Sequence, residues 1–197
     1  MKNSALLIII LSLWSSLYSQ ELNQNILIKI GVTEYGSPSG FVVSGGSNAG
    51  RWKTGIALGT GFEKELEESF YLQILFEASF NKYDVDQSIY DNLEPGNNSV
   101  YEAFLNVKKE FGFFFIIGGV GISAQKSTPT YSKRQIAGEA IKYLVHEGDS
   151  KTGVSGFLGT GARLPVSEKF SLLLEVSLRM RKYLSSTAQL GLVYNLK

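Results

Sequence analysis

The chain has no cysteine, which excludes disulfides, thiolate metal sites and a lipid-bearing N-terminal cysteine. It has one histidine, His146, so a metal centre built from histidines is out of reach. Charge of one sign is never in surplus: 19 Lys and Arg stand against 18 Asp and Glu. Nothing there suggests a nucleic-acid partner, and no block of like charge marks an interaction tail. After residue 20 no stretch of 18 apolar residues occurs. The longest candidate, "FFFIIGGVGISA" at 113–124, carries three glycines and is too short to cross a bilayer as a helix. It is the right length to cross as a tilted strand. The clusters "GSPSGFVVSGGSNAG" and "LEPGNNS" are turn-rich. Neither sits between a strand and a helix, as a phosphate-binding loop must, so no cofactor is expected.

What is present is a short export-type leader and then a regular pattern. "MKNSALLIIILSLWSSLYSQ" has Lys2, an apolar run over 5–13 and a small-polar stretch ending near Ser19. That is the layout of a secretory signal peptide, so residues 1–20 are expected to be cleaved and 21–197 to form one domain. The 197 residues require no second domain. Gly is abundant at 21, beside 10 Tyr and 12 Phe, a combination common in closed β structures.

Period-two alternation recurs in eight runs. They begin at Ile26, Ile56, Leu72, Tyr101, Phe114, Val154, Phe170 and Leu190. Long polar connections alternate with short ones such as "KELEES", "KEFG" and "PVSEK"; the last connection, "SSTA", is short as well. Long loops on one side and tight turns on the other are the layout of an up-and-down barrel in an outer membrane. The expected fold is therefore all-β, a single eight-stranded antiparallel transmembrane barrel.

The second face of each run says which side meets lipid. It carries Gly55, Ala57, Gly59 and Gly61 in the second run, Gly119, Gly121 and Ser123 in the fifth, and Ser155, Gly159 and Gly161 in the sixth. Such small residues cover a sheet poorly against water but suit a narrow lumen. The same face holds Glu77, Glu102, Arg163, Glu175, Arg179 and Arg181. Pointing inward, they must pair, because an unpaired buried charge is very unfavourable. Three acids and three arginines permit an internal salt-bridge network, read as a filled plug in preference to a gate. The apolar face is nearly free of charge, and aromatics gather near the run ends: Trp52, Phe62, Phe70, Tyr83, Tyr101, Phe170, Tyr183 and Tyr194. Rings at those places form interfacial girdles. A soluble barrel binding a small apolar ligand would alternate as well, with its apolar side chains turned inward.

The chain ends "QLGLVYNLK", a strand able to pair with the first and close the ring. The segment resembles the C-terminal insertion signal of outer-membrane barrels, with Gln189 at the polar place, Gly191 at the glycine, and Tyr194 and Leu196 as the bulky pair. Beyond it, residues 21–197 resemble in layout the small eight-stranded outer-membrane barrels, such as the OmpA membrane domain, OmpX and PorT-like barrel proteins. The resemblance implies recognition by the barrel-assembly machinery and contact with outer-membrane lipid. It also implies residence in the cell outer membrane.

Chemistry is weakly represented. Some small barrels modify lipids through a His, a Ser and an acid; here only His146 is available, near Glu147, Asp149 and Ser150. Residues so close along a loop rarely hold a catalytic geometry, so no enzyme is expected. In "KRQIAGEAIKYLV", Ile136, Ala140, Ile141 and Leu144 allow either a short amphipathic helix or a hairpin reaching beyond the membrane. The expected role is structural or interactive, with an envelope protein partner met through the loops 35–51, 84–99 and 126–152.

Overall fold

The computed structural model describes residues 23–35, 51–52, 54–84, 93–94, 96–136, 139–181 and 184–196. The strands are β1 (Gln24–Tyr35), β2 (Arg51–Trp52), β3 (Gly55–Glu67), β4 (Phe70–Asp84), β5 (Leu93–Glu94) and β6 (Asn97–Phe111). They continue as β7 (Phe114–Ser127), β8 (Thr130–Ile136), β9 (Glu139–His146), β10 (Ser150–Pro165), β11 (Phe170–Met180) and β12 (Leu184–Asn195). The expected leader, 1–20, lies outside the described residues, as do 36–50 of the first loop and 85–92 of the second.

Eight of these strands close a ring in the order β1, β3, β4, β6, β7, β10, β11, β12, every pair antiparallel. Closure runs through β1 and β12, with Ile26 opposite Tyr194, Lys29 opposite Gly191 and Gly31 opposite Gln189. A closed ring leaves no unpaired edge, the condition for backbone to lie in hydrocarbon. Each run of alternation lies in one barrel strand, but the strands run further than the apolar pattern does. β3, β4, β6, β7 and β10 have 13 to 16 residues, against the roughly 9–11 a bilayer needs. Pairing continues into water after the need for greasy side chains has stopped. The segment "SSTA" is part of β12 and not a connection: it pairs with 176–179 of β11.

The tight turns explain the register. β3 and β4 join through Glu68 and Ser69, with Ser69 at φ 62°; its amide donates to Glu65 Oε1 at 3.1 Å. β6 and β7 join through Gly112 and Phe113, with Gly112 at φ 64°, where a glycine avoids the strain of a left-handed backbone. Strand contact is also tight at Gly161 on β10. A Cβ there would overlap the Leu174 carbonyl oxygen and come within 2.6 Å of the Phe115 ring.

The apolar face points outward. Ile28 is 62% exposed and Leu190 65%, while their neighbours Leu27, Lys29 and Gln189 are buried. The soluble ligand-binding barrel is thereby overturned, since its apolar residues would converge on the centre. Aromatics sit near the strand ends: Phe170 packs on Tyr194 with ring centres 5.1 Å apart, and Phe80 meets Tyr101 edge-on at 6.2 Å. Phe111, Phe113 and Phe114 extend the ring at the tight-turn end. The side chains of Trp52, Tyr83 and Tyr183 lie outside the described residues.

Above the wall, β8 and β9 form a hairpin, with β5 on its edge. The described residues of segment 133–145 thus form the hairpin and not the helix. Tyr131, Ile136, Ile141, Tyr143 and Val145 supply the β-branched and aromatic content that favours strands.

Candidate functional site: the lumen

Inward parity stacks three layers inside the ring. Towards the long loops lie Lys29 (β1), Glu77 (β4), Glu102 (β6), Glu175 and Arg179 (β11), and Arg181 just past the end of β11. Lys29 Nζ donates to Glu175 Oε1 at 2.9 Å and lies 3.6 Å from Glu77 Oε1. Arg179 donates from Nε to Glu77 Oε2 at 2.9 Å, and its Nη2 also reaches that oxygen. Nε of Arg179 is 3.5 Å from Glu102. Arg181 holds Glu102 with two bonds, 2.7 Å from Nε and 2.6 Å from Nη2. Three cations and three anions cancel, and the forked arginine geometry supplies the strongest form of such bonds.

The middle layer is apolar: Leu27, Leu75, Phe104, Phe115, Ile117, Phe157, Leu173 and Val193. Phe104 and Phe157 pack edge-on at 5.0 Å. The upper cations rest on this layer, with Arg179 5.3 Å and Lys29 5.8 Å from the Phe157 ring, a favourable cation–π arrangement.

Below it lies a second ionic layer. Glu63 accepts from Lys108 Nζ at 2.6 Å, Arg163 Nη1 at 2.6 Å and Asn25 Nδ2 at 2.9 Å. Lys108 also lies 2.9 Å from Glu110 and 4.5 Å from the Tyr71 ring. Arg163 bonds Asn195 Oδ1 at 3.0 Å. Beneath these groups a polar recess of about 290 Å³ opens at the mouth, lined by Asn23, Asn25, Glu110, Arg163 and Asn195 among others.

Of the six charges singled out in the sequence, Glu77, Glu102, Glu175, Arg179 and Arg181 share the upper layer; Arg163 stands apart in the lower one. Lys29, Glu63, Lys108 and Glu110 complete the two networks and were missed. The signal was available: Lys29 interrupts "ILIKIGV" at inward parity, and Lys108 does the same after Val107. In the terminal strand, Gln189 is buried in the lumen. A Cβ on Gly191 would come within 2.9 Å of the Ile28 carbonyl oxygen. Tyr194 lies against Phe170 on the outer face, and Leu196 is exposed. Glu147, Asp149 and Ser150 are exposed, and Asp149 pairs with Lys151. The His146 side chain is outside the described residues.

A closed ring of eight antiparallel strands, greasy outside and paired ions inside, is the fold of a small outer-membrane β-barrel. Solved structures share it. Ail, the attachment invasion locus protein of Yersinia pestis, solved in complex with the heparin analogue sucrose octasulfate, is similar at 13% identity and a TM-score of 0.57, covering 90% of this chain and 100% of that one. Neisserial surface protein A is similar at 11% identity and a TM-score of 0.52, covering 87% and 96%. The outer membrane protein OprG of Pseudomonas aeruginosa is similar at 11% identity and 0.52, covering 89% and 97%. No protein-family model matches the sequence, and no curated protein matches it.

Proposed function

We propose that this chain is an integral outer-membrane protein that acts without catalysis, through structure and through contacts made by its loops. The carrying observation is the apolar layer of Phe104, Phe115, Ile117 and Phe157 across the lumen. It separates two neutral ionic layers, and neither water nor an ion crosses such a layer readily. With the interior filled, the surfaces left for a partner are the mouths, the outer wall and the loop-side sheet of β5, β8 and β9. There Lys142 and Glu94 pair at 3.0 Å.

In this reading residues 1–20 are an export signal removed before insertion. Gln189, Gly191, Tyr194 and Leu196 are recognised by the barrel-assembly machinery, and the surrounding partner is outer-membrane lipid. An envelope protein meets the loops. The test has two parts. The protein in an outer-membrane fraction should change gel mobility on boiling, and in planar bilayers it should give no steady conductance. A chain recovered in the soluble fraction, or one with large open steps, overturns the reading. Tyr194→Ala should lower assembly in cells while leaving refolding into detergent largely intact. Equal losses in both would remove the recognition role.

A further inference from the structure

The outer wall is not uniformly convex. Across β4, β6, β7 and β10 a groove of about 580 Å³ lies among Phe76, Tyr101, Ala103, Ile122, Ala124 and Val154. The register explains its shape. Phe76 is opposite Ala103, Ala103 opposite Ile122, Tyr101 opposite Ala124 and Ile122 opposite Val154. The alanines form a floor between larger side chains, and a slot of that shape suits an alkyl chain.

The rim above the groove is polar and cationic. One outward step beyond Ala124 is Lys126, set between Ser99 and Ser150 on the neighbouring strands. Lys82 continues the outward face of β4 past Phe80, opposite Asn97. Both lysines are exposed, and neither makes an ion pair among the described residues. The nearby acid, Asp149, is paired with Lys151, and Glu102 is held inside by Arg181. The two lysines stand two strands apart, roughly 10 Å laterally, too far for one phosphate to satisfy both closely.

We infer that this wall is a binding site for an acylated lipid of the outer leaflet bearing two phosphates. One acyl chain lies over Ala103 and Ala124, and the phosphates rest at Lys126, with the Ser99 and Ser150 hydroxyls, and at Lys82. The inference rests on the outer-membrane reading above, and its test separates the two.

The refolded chain is placed in phosphatidylcholine nanodiscs doped with bisphosphorylated lipid A, and the lipid retained after mild detergent extraction is counted by native mass spectrometry. The wild type should keep one such lipid and should not keep phosphatidylglycerol or a dephosphorylated lipid A in its place. Lys82→Ala and Lys126→Ala should each weaken retention about fivefold. Ala103→Phe fills the groove and should abolish it, whereas Ala188→Phe on the opposite wall should have no effect. Folding of every variant is checked by the boiling-dependent gel shift. A chain that shows the shift but retains phosphatidylglycerol equally well, or is insensitive to Ala103→Phe, overturns the site alone. A chain that shows no shift overturns the membrane reading and the site together.

Discussion

Strand β11 carries two opposite chemistries on eleven residues. Ser171, Leu173, Glu175, Ser177 and Arg179 face the lumen and are at most 4% exposed. Leu172, Leu174, Val176, Leu178 and Met180 face outward and are 41–53% exposed. In a water-soluble protein that distribution would be upside down. Here the outer side chains are satisfied by hydrocarbon, which asks only that they be apolar. The inner ones are satisfied by particular partners at particular distances. The lumen should therefore be sensitive to identity, and the wall to polarity alone.

The sharpest break in that comparison is Arg179→Met. It removes the forked partner of Glu77 and leaves that buried carboxylate with Lys29 at 3.6 Å. Breaking a buried pair typically costs about 3–5 kcal/mol, read here as a lower urea midpoint for unfolding from detergent or vesicles. Replacing both partners, Arg179→Met with Glu77→Met, should recover most of the loss. If the double variant is no better than the single, the lumen is not held by pairing.

Phe157→Ala comes next. It removes the ring on which Lys29 and Arg179 rest and opens a void in the apolar layer, for about 3–5 kcal/mol by the usual large-to-small range. It should also admit water, so a small conductance should appear in planar bilayers. Stability lost with no change in conductance would mean that the ionic layers seal the lumen by themselves.

On the wall, Leu174→Arg should destabilise by about 2–4 kcal/mol at mid-bilayer, while Leu174→Ile or Leu174→Phe should be nearly silent in the same urea titration. A silent arginine there would place Leu174 outside the hydrocarbon.

The wall was easier to read from the sequence than the lumen. Hydrocarbon imposes one rule on every second residue, so Leu172 through Met180 announce themselves. The lumen obeys no such rule: Lys29, Leu75, Gly119 and Phe157 all occupy it, and which charge meets which depends on how strands far apart in sequence come round the ring. Arg163 and Glu63 are a hundred residues apart, and nothing local to either points to the other. The ends of strands were blurred for a related reason. Along 185–188 small and polar residues replace the large apolar ones while the ladder to β11 continues, so composition no longer marks the strand.

The smallest effect tests whether place, rather than chemistry, gives the lumen pairs their weight. Lys142 and Glu94 form the same kind of pair as Lys29 and Glu175, at 3.0 Å against 2.9 Å. The rim side chains are 54% and 43% exposed, the lumen ones 0% and 1%. Water screens the first and replaces whichever partner is lost, so Lys142→Ala should shift stability by no more than about 0.2–1 kcal/mol. Lys29→Ala has no water to call on; it strands Glu175 and leaves Glu77 to Arg179 alone. Measured side by side in the urea titration, the two variants should differ severalfold. Equal effects would mean that water reaches Lys29, and the lumen would then be an aqueous pore with polar walls.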